Sequence, residues 1–251
     1  MSEEQSIFQG IYHEIADVER LCVGDGFDST EWLHRELKRL QNYRVGNPKS
    51  SLNLPPRQSY LPMLVALSKA KNIVDFGGGS GWLFDYLKNS IEIDEIEKYT
   101  ILELGLTCSF FSKLHNHPVD YLTKLPAGFR TDILYTNSAL QYLVDDNIFI
   151  SIVNTSEPGF VLIEDFLGVD VRTFFTIQNY YESRIIVKIR NTTDFLQRFQ
   201  QLGYFPLMIV PTVNEILKKI QPLPMENFPL DHNVGYPRTL LLGKSGIHLT
   251  R

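Results

Sequence analysis

The sequence predicts an α/β fold in which strands alternate with flanking helices, behind an N-terminal helical elaboration. Three observations predict it. From about residue 57 to residue 243, short apolar runs alternate with stretches whose apolar residues recur every three to four positions. Within Asn72–Tyr86, NIVDFGGGSGWLFDY, an apolar run gives way to four glycines and then to a helical pattern. A second apolar run, beginning at Tyr99, ends in an acid, Glu103.

At 251 residues the chain suits one α/β domain with an elaboration, divided here into residues 1–55 and 56–251. A hydrophobic content of 43% and a charged content of 21% are ordinary for a globular protein. The net charge of −5 supplies no basic footprint for a nucleic-acid backbone. The acidic start MSEEQSIFQG lacks a basic-then-apolar leader, and runs such as Leu61–Leu67 are far short of a membrane span. Cys22 and Cys108 are too few for a disulfide framework. The expectation is a cytoplasmic protein with no nucleic-acid partner and no membrane span.

In the first 55 residues, Asp28, Ser29 and Thr30 offer N-caps for a helix through TEWLHRELKRLQNYR. Trp32, Leu33, Leu37 and Leu40 fall on one face, with Arg35, Lys38 and Arg39 opposite as a solvated surface. Gly46-Asn47-Pro48 ends that helix, and Pro55-Pro56 opens another, PRQSYLPMLVALSKA. This elaboration reads as a lid or as a homodimer surface, and the sequence leaves both open.

Ile73 and Val74 make a buried strand that runs into Asp75 and Phe76. Gly77, Gly78, Gly79 and Gly81 form the tight turn, and a helix starts at Trp82. Such a turn lets a ligand lie against bare backbone, next to the free N–H groups of a helix start. The dinucleotide fingerprint needs its third glycine where Trp82 stands, which argues against a nicotinamide cofactor. Asp75-Phe76-Gly77-Gly78-Gly79-Ser80-Gly81 instead resembles, at every position, the acid-x-G-x-G-x-G site of the Rossmann-like S-adenosylmethionine (SAM) methyltransferases. Glu103, ending the second strand, can accept hydrogen bonds from two ribose hydroxyls.

Leu106–His115 reads as the next helix. His115 and His117 have no further ligand nearby in sequence, and no metal is expected. Pro118–Leu122 is a short third strand. Asp132–Asn137 is the fourth, placing Asn137 and Ser138 at the strand edge where open α/β sheets bind ligands. Asp145-Asp146 cap a helix through Val153. Phe160–Ile163, the fifth strand, ends in Glu164-Asp165, a paired carboxylate that can act as base or simply open a polar loop. The aromatic-rich stretch within 171–190 walls an acceptor pocket or packs as a core strand. Asn191-Thr192-Thr193 caps a helix ended by Gly203, and Tyr204–Val210 is a strand. The proline-rich stretch within 211–238, a second acceptor-site elaboration, holds a short helix over Asn214–Ile220. Tyr236–Leu242 leads into the last strand.

From about residue 57 to 243 the chain resembles class I SAM-dependent methyltransferases, with their closing helix and antiparallel hairpin. FGGGSG, SALQYL, FTIQNYY and YPRTLLL also resemble a little-characterised bacterial methyltransferase family. The resemblance implies a Rossmann-like, seven-stranded, mostly parallel sheet whose last strand is antiparallel. It implies S-adenosyl-L-methionine as cofactor and S-adenosyl-L-homocysteine (SAH) as product. Gly77, Gly79 and Gly81 would let the methionine part approach the backbone, and Asp75 would hold the turn and the SAM ammonium. Glu103 would take the ribose, Asp120 or Tyr121 the adenine, and Asn137 and Ser138 the amino-acid end. No N-P-P-Y or D-P-P-Y follows the fourth strand, and there is no Pro-Cys nucleophile. With the acidic charge, this points to a small-molecule or saccharide acceptor, with oxygen ahead of nitrogen. Transfer to a hydroxyl is an in-line displacement helped by a base, for which Glu164, Asp165, His232 and His117 are candidates. Of these, His232 has the most suitable ordinary pKa. Gln141, Tyr142 and Gln178 are candidate acceptor contacts. The alternative is a catalytically inactive binding or regulatory protein on the same fold.

Overall fold

The structure, a computed structural model, describes residues 6–46, 60–90, 96–115, 118–214 and 219–246. Asn47, Pro48, Pro55, Pro56, His117 and the middle of the helix expected over Asn214–Ile220 lie outside the described residues.

The chain opens with β1 (Phe8–Tyr12), α1 (Ile15–Glu19), α2 (Thr30–Gly46) and α3 (Tyr60–Ser68). The alternating core follows: β2 (Asn72–Phe76), α4 (Trp82–Ser90), β3 (Lys98–Leu102), α5 (Gly105–Phe111), β4 (Val119–Leu122), β5 (Ile133–Asn137), α6 (Asp146–Ser156) and β6 (Phe160–Phe166). Then come β7 (Gly168–Val169), β8 (Phe174–Tyr180), β9 (Ser183–Asn191), α7 (Thr192–Gln201) and β10 (Tyr204–Pro211). The short β11 (Val213–Asn214) and β12 (Lys219–Ile220) precede β13 (Arg238–Lys244). The predicted caps hold their helices. The Trp32 N–H donates to Ser29 Oγ at 3.2 Å, Asn147 N–H to Asp145 Oδ1 at 2.9 Å, and Asp194 N–H to Asn191 Oδ1 at 2.8 Å.

Seven strands form one sheet in the order β10-β13-β6-β5-β2-β3-β4. β2 pairs in parallel with both β3 and β5, and β13 runs antiparallel to both of its neighbours, as expected of the last strand. Ile73, Val74, Ile133 and Leu134 are buried on both faces, which is why these strands read as unbroken apolar runs. One face packs Leu61, Leu83, Leu87 and Tyr99; the other packs Phe149, Val153, Phe195 and Phe199. Strand order reverses at β2, so a crevice opens above the C-terminal ends of β2 and β5.

A second sheet, β1-β8-β9-β7, departs from the expected layout. Phe8–Tyr12 is a strand rather than part of a helical elaboration. It pairs with β8, from Phe8 opposite Gln178 to Tyr12 opposite Phe175. Residues 171–190 supply the β8–β9 hairpin, over a core of Phe8, Phe174, Val187, Ile189, Met225 and Phe228. The helix expected over Asn214–Ile220 is also corrected, because its described ends pair as the β11–β12 ladder.

A buried cation ties the second sheet to the turn and helix that follow β5. Arg190, 2% exposed, sends Nη2 to Asp146 Oδ1 at 2.7 Å and to the carbonyls of Leu140 and Leu143, both at 2.9 Å. Lys188 Nζ adds 2.9 Å to Asp146 Oδ2. The hairpin is thereby fixed to the turn that carries Gln141 and Tyr142.

Candidate active site

The crevice at the strand-order reversal is a cleft of about 900 Å³. Its floor at one end is Phe76, Gly77, Gly78 and Gly79, beside Asp75 and Glu103. Gly79 has φ +56°, and a Cβ there would lie 3.1 Å from Glu36 Oε2 on α2. Gly81 serves a different purpose from the one expected. A Cβ on it would meet Tyr121 Oη at 2.7 Å and Ile101 at 2.8 Å, so it lets the start of α4 pack on β3 and β4 and does not line the cleft.

The turn is held from several sides. Gly77 N–H donates to the Leu102 carbonyl at 2.9 Å. Glu103 Oε1 accepts the Gly79 N–H at 3.1 Å, and Oε2 accepts the Leu104 N–H at 2.8 Å. Arg44 Nη2 lies 3.4 Å from His115 Nδ1, and His115 Nε2 lies 2.8 Å from the Ser80 carbonyl. Arginine can only donate, so the network assigns the ring hydrogen to Nε2. Burial pushes the pKa of this imidazole down, consistent with the neutral tautomer.

Asp75 is 2% exposed and accepts the Tyr99 hydroxyl at 2.6 Å. Burial pushes its carboxyl up to about 7, against the lowering effect of that hydrogen bond. Burial also raises Glu103, while the N–H groups of Leu104 and Gly79 draw it back down.

The expected adenine contacts do not hold their places. Asp120 is exposed and pairs with Lys98 Nζ at 3.5 Å, while Tyr121, on the opposite face of β4, donates to the Gly79 carbonyl at 3.3 Å. Thr123, Lys124 and Leu125, just beyond β4, line the cleft instead.

At the C-terminal ends of β5 and β6 stand Asn137, Ser138 and Asp165, all lining the cleft. Ser138 Oγ is 2.5 Å from Asp165 Oδ2 and 2.9 Å from Asn137 Oδ1. Ser138 and Asp165 both have left-handed backbones, φ +54° and +62°. Two such residues in contact carry strain of order 1–3 kcal/mol each, which surrounding structure must hold. Glu164 is corrected. It is 1% exposed, does not itself line the cleft, and accepts the hydroxyl of Tyr135, which does, at 2.5 Å.

Gln141, Tyr142 and Gln178 come together at the other end, where Tyr142 donates to Gln178 Oε1 at 2.9 Å. Burial, and then the charge of Asp165, push the Tyr142 phenol well above its ordinary pKa. Phe27 packs here with ring centroids 4.5 Å from Tyr142, 5.2 Å from Tyr180 and 5.9 Å from Trp32. The sequence reading missed Phe8, Phe27, Glu36 and Arg39, and reached Tyr180 only as part of the aromatic-rich stretch within 171–190. One signal was available, since Glu36 falls inside the apolar stripe between Trp32 and Leu40.

His232 is also corrected. Its Nδ1 lies 2.7 Å from Asp231 Oδ1 and its ring 5.2 Å from Phe174, against the second sheet and off the cleft lining. Among the described residues no group of His, Cys, Asp and Glu is arranged to hold a metal, and no helix is long and apolar enough to cross a membrane.

No family model matches the chain, and no curated protein matches it in sequence. Solved structures share its fold. The magnesium protoporphyrin IX methyltransferase (ChlM) from Synechocystis PCC 6803, solved with bound SAH, matches with a TM-score of 0.53 at 11% identity, over 88% of this chain and 97% of that one. An S-adenosylmethionine-dependent methyltransferase from Clostridium acetobutylicum matches at 0.51 and 11%, over 85% and 99%. The [4+2]-cyclase SpnF matches at 0.51 and 12%, over 85% and 94%. The chain therefore has the fold of the class I SAM-dependent methyltransferases. The cyclase is a reminder that this fold does not dictate one reaction.

Proposed function

We propose that the protein binds SAM at the glycine end of the cleft and methylates an oxygen of a small-molecule acceptor, saccharides included, at the other. The observation that carries this is Glu103. Each of its oxygens is anchored by a backbone N–H and retains a lone pair, enough to accept the two hydroxyls of a ribose beside a glycine floor. That pairing of bare backbone with a half-buried bidentate acceptor fits a nucleoside-bearing cofactor.

SAM supplies a methyl group on a sulfonium, whose departing thioether is neutral. The chain's own residues have to align the acceptor and exclude water. Gln141, Tyr142 and Gln178 orient the acceptor, and Phe27, Trp32 and Tyr180 wall it from solvent. During transfer Asp165 would take the acceptor's hydroxyl proton. Ser138, hydrogen-bonded to Asp165, holds that carboxylate in place. The N-terminal segment serves as a lid, with α2 latched to α4 by Arg44 Nε and Asp85 Oδ2 at 2.7 Å.

Isothermal calorimetry with SAM and SAH on the wild type and Gly79→Val tests the cofactor reading. We expect dissociation constants on the order of micromolar for the wild type, weakened at least ~100-fold in the variant, whose Cβ and φ do not suit the turn. A wild type that binds neither ligand overturns the proposal.

A further inference from the structure

We propose that α2 reads the amino-acid tail of the cofactor, Glu36 receiving its α-ammonium and Arg39 its α-carboxylate. The inference rests on the SAM reading above and assigns two residues that the glycine motif does not include.

The position of Glu36 is the first argument. It lies one helical turn from both Trp32 and Leu40, and is 5% exposed. A carboxylate buried that far costs stability unless partners serve it. Its Oε1 is 2.7 Å from Arg39 Nη1, and its Oε2 is 3.2 Å from Ser80 Oγ. The same Oε2 hangs over Gly79, where glycine leaves the backbone bare. A surface pair three residues apart on a helix usually contributes little. This one has its acid sunk into the wall of the cleft, while the Arg39 side chain stays 63% exposed and still lines it.

Charge supplies the second argument. Glu36 and Glu103 both reach Gly79, one from α2 and one from the end of β3. Their mutual repulsion contributes to the raised pKa of Glu103. A ligand cation between α2 and the turn relieves that repulsion. Arg39 spends one donor on Glu36 and keeps others for a second carboxylate. A zwitterion laid across the Glu36–Arg39 pair makes an alternating set of four charges, each next to its opposite. The aliphatic, zwitterionic tail of SAM is the part of the cofactor with that chemistry.

The test compares three ligands by calorimetry on the wild type, Glu36→Gln and Arg39→Gln. SAH carries both tail charges, decarboxylated SAM only the ammonium, and methylthioadenosine neither. A charge-assisted hydrogen bond corresponds to roughly a ten- to hundredfold change in affinity. Arg39→Gln should therefore weaken SAH about ten- to hundredfold and leave the other two ligands within about twofold. Glu36→Gln should weaken SAH and decarboxylated SAM and spare methylthioadenosine, whose binding reports an intact fold and adenosine end. Arg39→Lys should recover part of the SAH affinity. Variants that keep the wild-type ratio of SAH to methylthioadenosine overturn the clamp and leave the SAM reading standing. Loss of methylthioadenosine in Glu36→Gln means that Glu36 holds α2 rather than reads an ammonium, and removes it from the proposal. A wild type that binds none of the three overturns both.

Discussion

The two ends of the cleft are built in opposite ways. The floor of the glycine end comes from neighbouring chain: β2, its turn and the end of β3 lie within residues 72–104, and backbone N–H groups fix Glu103 directly, while α2 brings Glu36 over Gly79. The end proposed for the acceptor is assembled from four distant segments, carrying Phe8, Phe27, Tyr142 and Tyr180. It is held by side-chain contacts such as Tyr142 to Gln178 and by the Arg190 clamp. A local site is fixed once its turn forms. A site pooled from several segments is only as firm as the contacts that hold those segments together.

The sharpest way to break this contrast is to cut the clamp. Arg190→Leu leaves Asp146 half-served and frees the turn carrying Gln141 and Tyr142. We expect a loss of about 3–5 kcal/mol in urea unfolding, the usual cost of removing one partner of a buried ion pair. In the folded fraction, SAH affinity should change little while transfer to acceptor collapses. Equal loss at both ends would mean that the two ends form one unit.

Asp165→Asn should separate chemistry from binding. We expect methyl transfer to fall roughly 10²-fold or more, as for loss of a general base, with SAH affinity within about threefold of wild type. Unchanged transfer by the variant removes Asp165 from that role.

Asp75 makes a pH test of the glycine end. Unfolded, its carboxyl ionises near the ordinary 3.8; folded, near 7. Between those values the folded state keeps a proton that the unfolded chain has lost, so this group costs stability as pH rises from about 4 to 7, with little further change above. Asp75→Asn can still accept from Tyr99 and does not titrate. Relative to wild type it should gain on the order of 2–4 kcal/mol between pH 4.5 and pH 7.5 in urea unfolding. Parallel pH curves for the two proteins would show that Asp75 is not held protonated.

His232→Ala is the smallest expected effect, because the ring lies off the cleft. SAH affinity and transfer rate should stay within about twofold, and stability within about 1 kcal/mol. A tenfold fall in transfer with intact binding would bring His232 back as a base.

The same contrast explains what could be read from the sequence. The alternation of strands and helices, the glycine turn and Glu103 are local patterns, and local patterns survive in one dimension. Side-chain direction on a doubly buried strand does not. Val161-Leu162-Ile163 runs without alternation into two adjacent acids, so nothing in it says that Glu164 is buried beneath Tyr135 while Asp165 lines the cleft. Asp120 and Tyr121 differ by the same one-residue parity. The strand at Phe8–Tyr12 depends on a partner 160 residues or more along the chain, and a window of sequence does not contain that partner. Glu36 was legible in principle, as an acid in an apolar stripe.

That long-range pairing also sets an order of events. Asn179 Nδ2 donates to the Ser6 carbonyl across 173 residues of sequence, and among the described residues β1 has no strand but β8 beside it in the sheet. During synthesis the first strand must wait, unpaired, until most of the chain has emerged, because contacts this distant form late and slowly. The glycine floor, complete at Glu103, emerges about seventy residues before β8 begins at Phe174. A nascent chain should thus gain the means to hold its cofactor well before it has a closed place for an acceptor.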